Sequence, residues 1–207
     1  MKTFVRAAII SLGLLACSRG MSAPKADDGW IPLFDGRTLN GWRASENPST
    51  FSVTNGEIVV HGPRAHLFYE GPVMNHEFRD FELKADVLTK PGANSGIYVR
   101  TAYQPTDWPS HGYEVQVNNS HTDWRRTGSL YAVRDIRESM KDNEWFTIHT
   151  IVRGRRVQIM LNDRQVVDYT EPDTSKTRLT GGTIALQGHD PGSEVHFRNV
   201  LIRPLSP

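Results

Sequence analysis

Four side chains in this sequence could bind and transform a ligand rich in hydroxyls: Glu114, Gln116, Gln187 and His189. Glutamate and histidine exchange protons, histidine near neutrality, and a glutamine amide offers both donor and acceptor to a hydroxyl. Spacing is what gathers them. From Tyr113 to Val117, alternation puts Tyr113, Val115 and Val117 on one strand face and Glu114, Gln116 and Asn118 on the other. From Asn94 to Arg100, Ile97 and Val99 oppose Asn94, Gly96, Tyr98 and Arg100; later, Leu186 and Gly188 oppose Gln187 and His189. A solvated strand face usually carries Lys, Glu and Thr. These faces carry Asn, Arg, Gln, His and aromatics, the groups that bind sugar hydroxyls.

Each residue also has a plainer reading. His189 precedes the turn Asp190-Pro191-Gly192 and could simply end a strand; as a catalytic group it would serve as base or acid. Glu114 could be a solvated strand glutamate, or a base, or a metal ligand. Arg100 cannot be a base, but it could hold an anionic oxygen, or pair with Glu114 and only order the sheet. Asn94 could bind sugar or start its strand at a turn with Gly92, and Tyr98 and Tyr131 could stack on a sugar ring or merely pack. Of His66, His76, His111 and His121, all in or near expected loops, His66 is the one favoured to reach the site. His149 and His196 read as strand histidines facing the core or outward. Glu114 with His189 could hold a divalent ion, although no His-x-x-x-His spacing supports one.

The elements that must position these groups are strands. Phe51–Val53 and Glu57–Val60 flank Thr54-Asn55-Gly56, a hairpin signal. Alternating runs follow at 81–87, 95–100, 113–117, 146–152, 156–161, 165–169, 182–187 and 194–203. Alternation with turn residues every eight to twelve positions, roughly, predicts an all-β sandwich or barrel. The only long apolar stretch is Ala7 to Ala16, which follows Lys2 and Arg6 and is too short for a permanent membrane span. It reads as an export signal over residues 1–16, ending in Leu14-Leu15-Ala16-Cys17, which resembles a bacterial lipobox. Cys17, the single cysteine, is the expected lipid anchor, and residues 17–28 read as a flexible tether. An ordinary secretory signal cleaved near Ala23 is the other reading. Either way the protein is expected to be exported, to the periplasm or as a cell-surface lipoprotein held at the membrane. With 24 basic and 23 acidic residues, the chain has no excess charge suited to nucleic acid.

Residues 29–207 resemble the 3-keto-disaccharide hydrolase family. The resemblance is carried in order by Gly29-Trp30-Ile31-Pro32-Leu33-Phe34-Asp35-Gly36, Asn94-Ser95-Gly96-Ile97-Tyr98-Val99-Arg100, Gly112-Tyr113-Glu114-Val115-Gln116-Val117 and Ile184-Ala185-Leu186-Gln187-Gly188-His189. It implies a two-sheet antiparallel jelly-roll sandwich, concanavalin A-like, whose concave face binds the ligand. It also implies a substrate already oxidised at C3 of a sugar, made by a separate sugar 3-dehydrogenase. The chain has no Gly-x-Gly-x-x-Gly fingerprint of its own for a nicotinamide cofactor. A 3-keto group acidifies the C2 proton, so cleavage can run by elimination and rehydration, with His189 and Glu114 as acid and base and Arg100 on the enolate. Gln116, Gln187, Asn94, Tyr98, Tyr131 and His66 are then the expected substrate contacts. The competing class is a carbohydrate-binding module without catalysis. The segment His66-Leu67-Phe68-Tyr69-Glu70 departs from the family pattern and is expected to alter one pocket wall.

Overall fold

The computed structural model describes residues 29–173 and 181–206. The expected signal, tether and Cys17 lie outside them. Thirteen strands are present among the described residues: β1 (Ile31–Pro32), β2 (Trp42–Ala44), β3 (Phe51–Thr54), β4 (Glu57–His61), β5 (Ala65–Tyr69), β6 (Phe81–Thr89), β7 (Ser95–Thr101), β8 (Tyr113–Val117), β9 (Phe146–Arg153), β10 (Arg156–Leu161), β11 (Arg164–Thr170), β12 (Thr183–Gly188) and β13 (Glu194–Pro204). One sheet runs β11-β10-β9-β6-β13-β4-β3, with β1 added along β13; the other runs β2-β5-β12-β7-β8. All pairings are antiparallel. The expected two-sheet sandwich is therefore present.

The core follows from alternation. Ile58, Val60, Leu83, Val87, Ile148, Ile159 and Phe197 of the large sheet meet Leu67, Ile97, Val99, Val115, Ile184 and Leu186 of the small sheet, all of them buried. Burying each such side chain contributes about 1.5–3 kcal/mol. The small sheet then has its other face left over. Phe68, Tyr98 and Ala185 form a separate apolar cluster there, with Tyr103 packed on it. The polar residues singled out above share that face.

Two strands escape the alternation rule. In β5 large apolar residues fall on both faces, Leu67 and Tyr69 on one and Phe68 beside His66 on the other, so the run shows no alternation. His66 is thus a strand residue and not a loop residue. In β7 the rule breaks at Arg100. Thr183 pairs with Thr101 but Ile184 pairs with Val99, so Arg100 is an extra residue, with φ 51°. Such a bulge re-aims a side chain.

Candidate functional site

Pairing within the small sheet sets the site. Gln187 lies opposite His66 across β12 and β5, Gly96 opposite Gln116, and Tyr98 opposite Glu114 across β7 and β8. Above them is a hollow of about 320 Å³, lined by Asn94, Tyr98, Glu114, Gln116, Gln187 and His189 from the sheet and its ends. Trp108, Tyr131 and Asp123, from two covering segments, complete its walls.

Glu114 is at its centre. Tyr98 donates its hydroxyl to Glu114 Oε2 at 3.0 Å, and Gln187 Nε2 donates to Oε1 at 2.9 Å. Burial pushes the carboxyl up to about 7, against the pull of those two donors. Gly96 makes room for it: a Cβ there would sit 2.8 Å from Glu114 Cγ and 2.9 Å from Cδ. Gln116 Nε2 donates to Asn94 Oδ1 at 3.0 Å. The side-chain amide oxygens of Gln116 and Gln187 are buried without a hydrogen-bond partner.

His189 stands just past the end of β12. Its Nδ1 lies 2.8 Å from Asp190 Oδ2, and its ring packs 5.2 Å from that of Trp108 and 5.5 Å from that of His121. The turn bearing His121 and Asp123 is built around the buried Asn118, whose Nδ2 donates to the carbonyls of Asp123 and Arg125 at 2.9 and 2.8 Å. The segment carrying Trp108 is organised by Gln104, whose Nε2 donates to the carbonyls of Thr106 and Trp108 at 2.6 and 2.8 Å. Arg64 pins it further through Asp107, at 3.1 Å.

The expected residues fall into three groups. Glu114, Gln116, Gln187, Asn94, Tyr98, Tyr131 and His189 come together around the hollow. His66 sits beneath Trp108, fully buried, with their rings 5.6 Å apart and neither of its nitrogens hydrogen-bonded. Burial pushes its pKa down to about 4, so it is neutral at physiological pH. Arg100 belongs elsewhere, which corrects the expectation of an enolate-binding or Glu114-pairing arginine. The bulge sends its side chain to the Gly154 carbonyl at 2.8 Å, the Asp80 carboxylate at 3.0 Å and the Arg79 carbonyl. It ties the end of β7 to the start of β6 and the β9–β10 turn.

Sequence reasoning missed Trp108, Asp123 and Asp190. Trp108 carried one usable signal, an aromatic in a polar segment between strands. Asp190 was masked by its turn-forming neighbours. Among the described residues, His121, His189 and Asp190 are a group of three such side chains close enough to share an ion, and Glu114 is not in it.

A family model for the 3-keto-alpha-glucoside-1,2-lyase-like domain matches residues 29–203. A 3-keto-disaccharide hydrolase of Bacteroides thetaiotaomicron is 27% identical in an alignment 238 positions long, which covers 89% of this chain and 81% of that protein. Among solved structures, a candidate glycosyl hydrolase from Parabacteroides distasonis superposes with a TM-score of 0.72 at 21% identity, over 86% of this chain and 94% of its own. The carbohydrate-binding module CBM66 from Bacillus subtilis superposes at 0.60 with 16% identity, over 79% and 95%. At these identities the structural likeness establishes the fold.

Proposed function

We propose, since the chain belongs to the 3-keto-alpha-glucoside-1,2-lyase-like family, that its pocket takes a sugar oxidised at C3 and cleaves the glycosidic bond by elimination. The observation that carries this reading is Glu114, a carboxyl held at about 7 in a pocket otherwise equipped to bind hydroxyls. A base works best when its pKa lies near the working pH. Glu114 removes the C2 proton, the C1–O bond breaks as C1=C2 forms, and His189 delivers a proton to the departing oxygen. Water adds across C1=C2 to complete a net hydrolysis. The amide side chains of Asn94, Gln116 and Gln187, which line the hollow, bind sugar hydroxyls, and Tyr131 and Trp108 flank the rings. His66, across from Gln187, backs the Trp108 wall.

A binding module would share the fold but have no use for a poised carboxyl, since ionising it costs stability. The substrate must come from an enzyme that oxidises C3 of a glycoside. Cys17 is the proposed lipid anchor of an exported protein. The reaction is tested with a 3-keto-glycoside deuterated at C2. Early product should have lost deuterium to solvent; full retention would point to direct displacement at C1.

A further inference from the structure

His121, His189 and Asp190 each offer a ligand atom, and these lie within 4.8 Å of one another, which invites assignment as a metal centre. The hydrogen bonds around the trio argue for a different use. The backbone N–H of Asp123 donates to His121 Nδ1 at 3.1 Å, and the Asn94 amide nitrogen lies 3.4 Å from the same atom. A nitrogen facing two donors keeps its lone pair, so the proton of neutral His121 sits on Nε2. That nitrogen is then a donor and not a ligand.

His189 is held the opposite way. Its Nδ1 faces the Asp190 carboxylate and must carry a proton to meet it. Asp190 is itself fixed on three sides. Gly192 N donates to Oδ1 at 2.8 Å, and Ser193 Oγ donates to Oδ2 at 2.8 Å. The Ser193 hydroxyl is buried and accepts from the Asn94 backbone N–H at 2.9 Å. An oriented chain thus runs from the Asn94 backbone through Ser193 and Asp190 to His189. Burial opposes the charge on Asp190, but the bonds from His189, Ser193 and Gly192 outweigh it and hold the carboxyl below its usual range.

We propose that Asp190 is a positioning residue, which fixes His189 in the Nδ1–H tautomer so that Nε2 is the nitrogen exchanging protons with the substrate. The trio handles protons and does not hold a metal. This rests on the acid–base reading of the pocket, which it deepens. Asp190, whose side chain is 36% exposed, stabilises the imidazolium that forms when His189 takes a proton, as the aspartate beside a catalytic histidine does from a more buried place in hydrolases. Facing His189 from the neighbouring elements are His121 from the segment after β8, His66 from β5 and the uncharged ring of Trp108. Asp190 is therefore the carboxylate in direct contact with it.

The test begins with imidazole nitrogen NMR on the full chain at pH 8. It should show His189 protonated at Nδ1 and His121 at Nε2. A His189 found protonated at Nε2 overturns the proposal. Asp190→Asn should lower kcat on a 3-keto-glycoside about 10²–10³-fold with KM little changed, and abolish the Nδ1–H preference of His189 in the nitrogen spectrum. Unchanged kcat and an unchanged tautomer would overturn it. Should that variant fail to fold, Ser193→Ala, which removes one of the bonds fixing the carboxylate, is expected to lower kcat and weaken the same tautomer preference by a smaller amount. Stoichiometric zinc or manganese binding that is lost in His121→Ala and required for turnover also overturns it. A wild-type chain that cleaves no 3-keto-glycoside, yet shows the two tautomers, would sink the catalytic reading and leave the assignment of His189 and Asp190 intact.

Discussion

Glu114 is unfavourable for the fold in its ionised form, the one that would act as base in the proposed reaction. Its folded-state pKa of about 7 lies above the ordinary 4.5, so the native protein holds this proton more tightly than the unfolded chain. Stability from this group is complete below about pH 4.5 and is lost as pH rises through about 7, by up to about 3 kcal/mol. Glu114→Gln should therefore raise the melting temperature at pH 8 while removing activity. Gln187 can accommodate the new amide by turning its unpartnered oxygen toward it. Denaturation of both proteins at pH 4 and pH 8 checks the sign: the gap should widen at the higher pH. For the wild type, turnover should climb through about pH 7 as Glu114 becomes a base. Much at this scale was legible in the sequence. Period-two alternation placed Glu114, Gln116, Gln187 and Tyr98 on one face, because flat antiparallel strands obey it. It failed at Arg100, where one left-handed residue reverses the side chain, and it could not see Asp190, whose job depends on a serine and an imidazole rather than on a strand.

At the scale of the element, β7 does two jobs in seven residues. Its N-terminal half yields space, and its C-terminal bulge anchors. Gly96→Ala inserts a methyl against Glu114 Cγ and Cδ, so the carboxylate must leave its place between Tyr98 and Gln187. We expect a destabilisation of about 1–3 kcal/mol and a far larger effect on kcat, on the order of 10²-fold or more. Equal activity in the purified variant would show that the carboxylate has latitude that this packing denies it. Strand β5 illustrates why other elements were hidden. Alternation reveals a strand whose one face is polar, as in the buried β7 and β12, whereas β5 is apolar on both, with Leu67 toward the core and Phe68 on the face where His66 meets Tyr98 and Trp108. The hairpin at Asn55-Gly56 shows the converse. Its turn residues, with φ of 52° and 83°, announce both strands from sequence alone.

For the whole molecule, the sandwich supplies a stable floor and the loops supply identity. The same fold serves a carbohydrate-binding module and a candidate glycosyl hydrolase, so architecture does not choose between binding and cleavage. In the reading proposed here, what separates them is Glu114 and the Asp190-bound His189 lining one small hollow. Arg100, lost to the pocket, helps instead to lock the two sheets at one end, through Asp80 and the β9–β10 turn. Residues 1–17 are proposed to export the protein and anchor it through Cys17. Cys17→Ser should move the protein from the membrane fraction to the soluble exported fraction, and unchanged partition would remove the anchor. The need for a keto group at C3 separates this chemistry from ordinary glycoside cleavage. Purified full chain should be given a 3-keto-glucoside and its unoxidised parent side by side. Cleavage of the keto form and none measurable of the parent is expected; comparable turnover of the two would contradict elimination from a 3-keto-sugar.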